Sequence, residues 1–154
     1  MADTRIPQRD VRGLSDDALF EKLLGVAYEH QDSLTPGQAL IARLVSFIRD
    51  VDNGGITQAL WNRDLDETEQ VIGDFEVIGA AEHADAVRQA VRTLAGGRWP
   101  ASDADMESRL ERISIDWIEA NMTRYDEMLY FENRLWPHFN LYLVAHPNDF
   151  FLPE

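Results

Sequence analysis

The sequence contains no cysteine. That excludes a disulfide framework, a thiolate zinc site and a cysteine nucleophile. It has no apolar run near the ~20 residues that a membrane span requires. The opening residues, Met-Ala-Asp-Thr-Arg-Ile-Pro-Gln-Arg-Asp, hold no apolar core. No signal peptide is therefore expected, and the expected location is cytoplasmic. No HExxH, GxSxG, Walker or GxGxxG motif occurs. Basic side chains are scarce, 14 against 28 acidic, for a net charge of −14. Such a field repels nucleic acid and anionic membranes, so neither is an expected partner, whereas a basic protein is.

What is present suits one domain with its own core. The chain has 154 residues, 45% of them hydrophobic, with four Trp, seven Phe and four Tyr. Residues 1–13 read as a flexible lead-in, and residues 14–154 as a single helical domain. No stretch alternates apolar and polar residues as a half-buried strand does, and no repeat or low-complexity segment is visible.

Helical spacing recurs instead. Ser15 caps a first helix, about Asp16 to His30, with Leu19, Phe20, Leu23, Leu24, Ala27 and Tyr28 inward. Thr35, Pro36 and Gln38 make a capping box before a long stripe from Leu40 to Val51, which Asn53-Gly54-Gly55 ends. Ile56 to Trp61 reads as one or two further turns. A third long helix covers about Asp66 to Ile78, ended by Gly79, and the next about Ala81 to Ala95, ended by Gly96-Gly97. Ser102 or Asp103 caps a helix carrying Met106, Leu110, Ile113 and Trp117, running to about Tyr125. A last helix holds Leu135, Trp136, Phe139, Tyr142 and Leu143, with Pro137 in its first turn or kinking it, and ends at His146-Pro147. The expected fold class is all-α, an irregular bundle of six or seven helices.

The stretch Asp52-Asn53-Gly54-Gly55-Ile56-Thr57-Gln58-Ala59-Leu60-Trp61-Asn62 resembles a bacterial family of small acidic proteins named after a DNA-mimic protein. So do Ile78-Gly79-Ala80 and the ending Ala145-His146-Pro147-Asn148-Asp149-Phe150. The similarity spans roughly residues 35–151. Asn53, Gly54, Gly55, Ile56, Gln58, Trp61 and Asn62 match the family's motif, while Ala59 and Leu60 depart from its usual aromatic character. The resemblance implies a helical fold. In the type member it also implies a dimer whose acidic surface imitates DNA and occupies the DNA-binding face of a transcription regulator. The motif residues themselves read as structural: Asn53, Gly54 and Gly55 as a helix stop and restart, Gln58 and Asn62 as polar groups bonding the same turn.

Candidate partner-binding acids lie outside the motif. Residues 1–50 carry net −2 and residues 51–154 net −12. Asp103, Glu107 and Glu111 recur at intervals of four, about 6 Å apart along a helix. Glu119 lies two turns on if that helix is unbroken. A second group is Asp64, Asp66, Glu67, Glu69, Asp74 and Glu76, with Glu82 and Asp85 beyond. Duplex DNA presents a charge every ~1.7 Å of axis, so imitation needs rows from two or more helices, or from two subunits. The competing expectation is that acidity only confers solubility, since Asp105 with Arg109, and Arg112 with Asp116, have the spacing of neutralising pairs.

No enzyme activity, cofactor or metal is expected. None of His30, His83, His138 and His146 pairs at HxxxH spacing. His138 and His146, eight apart, could share a face of the last helix with Glu132 six before His138, but a two-His carboxylate site there would need a further ligand from folding. Abundant carboxylates leave a two-carboxylate hydrolase open, but no pair stands out. The alternative function is an interaction or immunity-type protein recognising its partner through apolar residues near the C-terminus. Its motive is an aromatic surplus: Tyr125, Tyr130, Phe131, Trp136, Phe139, Tyr142, Phe150 and Phe151. These aromatics would otherwise form the core together with a homodimer seam.

Overall fold

The computed structural model describes residues 3–130 and 135–154. Phe131 and Glu132 lie outside the described residues. Among those described, the chain is all-α, with eight helices, seven of them at least seven residues long, and one two-residue strand pair. No described helix is long and apolar enough to cross a membrane. The chain divides into two compact units, residues 1–43 with 139–154, and residues 44–138.

In the first unit, Ser15 caps α1 (Asp16–Glu29), its Oγ accepting from the Ala18 N–H at 3.2 Å. The buried face is Phe20, Leu23, Leu24 and Ala27; Tyr28 is half exposed, contrary to the inward placement expected from spacing. Phe20 stacks on Phe139 of α7 (Trp136–Ala145), whose Pro137 lies in its first turn, and Tyr142 meets Phe150 edge to face. Phe150 ends a single-turn helix, α8 (Pro147–Phe150).

Residues 3–13, read as a loose lead-in, are tied down. β1 (Ile6–Pro7) pairs in parallel with β2 (Phe151–Leu152), and Ile6 and Thr4 are buried. A two-residue strand is too short to leave an alternating pattern. Thr4 meets the start of α2 (Pro36–Trp61), where the capping box forms as its residue types require. The Gln38 N–H donates to Thr35 Oγ1, and Gln38 Oε1 accepts from the Thr35 N–H. Gln38 Oε1 also accepts from the Thr4 hydroxyl, and Gln38 Nε2 donates to the Thr4 carbonyl. Asp149 completes the junction, its carboxylate accepting from the Gly37 N–H at 3.1 Å and its carbonyl from the Thr35 hydroxyl at 2.6 Å. A Cβ on Gly37 would lie 2.6–2.9 Å from Asp149 and Phe150, so only glycine fits there.

The second unit is arranged around α4 (Ala81–Leu94). It packs against α3 (Leu65–Val77), α5 (Asp103–Arg112) and α6 (Ile115–Leu129). Ala84, Ala86, Val87, Ala90, Val91 and Leu94 are fully buried; the small side chains let three neighbours approach one helix. Phe47 and Phe75, also fully buried, meet edge to face. Both α3 and α4 end in Schellman bonds, from the Ala80 N–H to the Phe75 carbonyl and from the Gly97 N–H to the Arg92 carbonyl.

One expected helix is two. The Met106-to-Trp117 spacing suggests continuity to about Tyr125, but the chain is extended at Ile113 and Ser114. Ser114 Oγ accepts from the Trp117 N–H at 3.1 Å and caps a new helix, with Asp116 in its first turn. Glu119 therefore stands on α6 and does not extend the row on α5.

Candidate functional site

The Asn53-Gly54-Gly55 break sits inside α2. Gly55 has φ +79° and ψ 171°, a conformation reserved in practice for glycine, and helix resumes at Ile56. The Ile56 N–H donates to Asp126 Oδ1 of α6 at 2.6 Å, so a carboxylate from 70 residues away caps the restarted helix. A Cβ on Gly55 would lie 3.2 Å from both Asp126 oxygens. Half-burial pushes the Asp126 carboxyl above its ordinary pKa, and neighbouring Glu127 adds to this, while the Ile56 N–H works against it. Gln58 folds over Gly54, within 2.5 Å of where a Cβ there would lie. The expected side-chain bonding of Gln58 and Asn62 is replaced among the described residues by a backbone bond, from the Asn62 N–H to the Gln58 carbonyl.

The restarted segment delivers Trp61 and Asn62 to the mouth of a cleft of about 350 Å³ between the end of α2, α3, α4 and α5. Its floor is apolar: Leu60, Val91, Met106 and Leu110. Trp61 remains 53% exposed beside it. Its acids are Asp64, Asp103 and Glu107. Asp64 caps α3 in a complete capping box, Oδ1 accepting from the Glu67 N–H while Glu67 accepts from the Asp64 N–H. Asp103 Oδ1 accepts from the Leu65 N–H at 2.8 Å, which ties the start of α5 to the start of α3. Glu107, one turn along α5, is exposed and has no hydrogen-bond or ion-pair partner among the described residues.

Arg63, which also lines the cleft, has its partners elsewhere. Its guanidinium bonds Asp50 at 2.6 Å, the Ala59 carbonyl and Ser46, over the Phe47 ring. A second cleft, lined by Glu69, Glu76, Arg88, Arg92 and Trp99, is balanced instead, with Arg88 paired to Glu76 and Asp85. The neutralising pairs expected on α5 do not form among the described residues. Asp105 accepts from the Ala101 N–H, Arg109 donates to the Leu94 carbonyl, and the break at Ser114 separates Arg112 from Asp116.

The ten acids singled out by sequence thus separate. Asp64, Asp103 and Glu107 converge on one cleft. Asp66 and Glu67 are exposed in the adjoining first turn of α3, and Glu111 is exposed one turn beyond Glu107. Glu69 and Glu76 belong to the balanced cleft, and Glu119 to another helix. Asp74 departs from the expectation of a surface charge: it is 6% exposed, because it falls three after Val71 and four before Ile78 on the inward stripe of α3. The roles of Asp126, Asp50 and Ser114 are not legible in the sequence, except that Ser114, followed by an acid two residues on, carries a local signal.

Among the described C-terminal aromatics, Trp136 and Phe151 are half-buried. Tyr125, Phe139, Tyr142 and Phe150 are buried, while Tyr130 is 46% exposed. On α7 the exposed apolar residues are aliphatic, Leu141 at 68% and Val144 at 79%. Among the described residues, no group of three His, Asp or Glu is placed to hold a metal ion.

No curated protein and no solved structure shows significant similarity to the chain. The profile of one family, described as DMP19-like protein, matches residues 32–146, which include the Gly55 break, the cleft and most of α7. The chain belongs to the DMP19-like family, named for DNA mimic protein 19.

Proposed function

We propose that this chain is an acidic protein-binding module of the cytoplasm, a DNA mimic that occupies the DNA-binding surface of a basic transcription regulator or nucleoid protein and binds no nucleic acid itself. Family membership supports mimicry as the general mode. The carrying observation is the junction at Leu65. By bonding the Leu65 N–H, Asp103 sets the acids of α5 beside those in the first turn of α3, while Arg63 is spent on Asp50. Two adjoining rows are what imitation of a duplex needs, since one helical row, at ~6 Å, is sparser than DNA's charge by more than threefold. The sequence adds to the field there: residues 44–138 carry 19 acidic and 9 basic side chains, net −10.

The partner surface is accordingly the exposed set Asp64, Asp66, Glu67, Asp103, Glu107 and Glu111. Like-charged copies associate best through an uncharged face. We assign the homodimer seam to α7, where Leu141 and Val144 are exposed and no Asp, Glu, Lys or Arg occurs from Leu135 to Asn148. Burial of Phe139, Tyr142 and Phe150 weighs against recognition through a C-terminal aromatic patch.

Capture from native extract at low salt, followed by elution with either salt or duplex DNA, tests the proposal. A DNA-binding protein released by both is the expected result. Recovery of no basic partner at low salt, or of one that DNA fails to displace, would overturn it.

A further inference from the structure

We propose that the cleft beside Trp61 is a socket for one arginine side chain of the partner protein, the guanidinium lying against the Trp61 indole and held by Asp103 and Glu107. This inference rests on the acidic-surface reading above and deepens it. A diffuse negative surface explains attraction but not the shape found here. The cleft is about 350 Å³, has an apolar floor of Val91, Met106 and Leu110, and leaves a large aromatic ring 53% exposed beside unneutralised acids.

That combination fits a long, amphipathic cation. An arginine lays its methylene stem on apolar surface while its planar head stacks on an aromatic ring and meets a carboxylate with two parallel N–H bonds. Asp103 and Glu107 stand one helical turn apart, within reach of one planar head. Glu107 has both oxygens available, and Asp103 has Oδ2 left after Oδ1 takes the Leu65 N–H. The site's own arginine cannot fill it, because Arg63 is held by Asp50, Ser46 and the Ala59 carbonyl. Lysine is a poorer occupant, since its ammonium is compact, strongly hydrated and has no plane to stack. A phosphate or nucleic acid would face three carboxylates. The balanced cleft at Arg88 and Arg92 offers no comparable surplus of charge.

The test is a ¹H–¹⁵N NMR titration of the whole protein with N-acetyl-arginine amide, its lysine analogue and the uncharged citrulline analogue. Arginine amide should give saturable shifts at the Trp61 indole N–H and at amides of residues 60–65 and 103–110, lysine amide weaker ones, and citrulline amide none. Glu107→Gln should weaken arginine amide by about 5–10-fold, and Trp61→Leu should abolish the preference for arginine over lysine. Both side chains are exposed, so both variants should keep the wild-type circular dichroism spectrum. Glu119→Gln on α6 should change nothing. Equal shifts with citrulline amide, no saturable shift, or equal weakening by Glu119→Gln would overturn the proposal. A partner bound in a salt-dependent way but indifferent to Trp61→Leu and Glu107→Gln would sink the socket and leave the acidic surface standing. Arginine amide in the cleft with no basic partner in extract would do the reverse.

Discussion

Replacing Asp126 isolates the bond that holds the Gly55 break together. The Ile56 N–H begins a helical segment at a fully buried residue and donates to Asp126 Oδ1 at 2.6 Å. Asp126→Ala removes that acceptor. A buried donor left unpaired costs about 1–3 kcal/mol, and the loss is partly offset because a half-buried carboxylate is also removed. A net loss of about 1–2 kcal/mol is expected, or a fall in Tm of about 2–8 °C for a chain of this size. Asp126→Asn keeps an acceptor oxygen and sheds the burial penalty, so at pH 7 it should be at least as stable as wild type.

The pH dependence has a definite sign. Burial, with Glu127, raises the folded pKa of Asp126 above its ordinary 3.8. The folded state thus holds the proton to higher pH than the unfolded state. Its stabilising contribution is complete below 3.8 and is lost as pH rises through the raised value. The asparagine variant does not titrate, so its advantage should grow from pH 4 upward and then level off. Urea unfolding of the three proteins at pH 4, 5, 6 and 7 measures this. Equal destabilisation by Asn and Ala at pH 7, or an Asn advantage independent of pH, would refute the reasoning.

Four further outcomes follow from the packing. Gly37→Ala should lower the urea midpoint despite alanine's better helix propensity, because its Cβ would lie within 2.6–2.9 Å of Asp149 and Phe150. Phe150→Ala should cost about 3–5 kcal/mol of stability, as removal of a core phenyl does, and should weaken partner binding only in proportion to unfolding. The seam proposed on α7 predicts a dimeric wild type, and Val144→Glu, a surface change, should leave the Tm within about 1–2 °C yet yield monomers by size-exclusion light scattering. Retained dimers would displace the seam from α7. Asp3, held down to about 2 by Arg5, gives a stabilising contribution that is present above its ordinary 3.8 and lost as pH falls towards 2. Arg5→Gln should shrink that acid-limb component of the pH–stability curve without abolishing it, because the backbone N–H of residue 5 still donates to Asp3.

What the sequence disclosed was local. Ser15, the Thr35–Gln38 box, Gly55, Gly79, Gly96 and Ser102 each act within a turn of themselves, and each starts or stops a helix where its chemistry requires. The failures have two causes. Some pairings join distant residues: Ile6 with Phe151, Asp126 with Ile56, Asp103 with Leu65. No window of sequence contains both partners. Elsewhere a continuing pattern hid a boundary or a face. The apolar spacing from Met106 to Trp117 runs straight across the Ser114 break, and Asp74, one acid in an acidic stretch, is in step with Val71 and Ile78. The cleft combines both effects. Trp61 stood out as a motif residue and Glu107 as an acid, but only the Asp103–Leu65 bond, across 38 residues, makes them neighbours.

Recognition is attributed here to carboxylates at particular places and not to overall charge, and equally discharged variants separate the two. One carries Asp66→Asn, Glu107→Gln and Glu111→Gln near the cleft; the other carries Asp17→Asn, Glu21→Gln and Glu29→Gln on exposed positions of α1. The decisive measurement is the partner's Kd for each across a salt series. The cleft variant should bind about tenfold or more weakly and show a flatter dependence of log Kd on log salt, while the α1 variant keeps the wild-type affinity and slope. Equal losses in both would contradict the account.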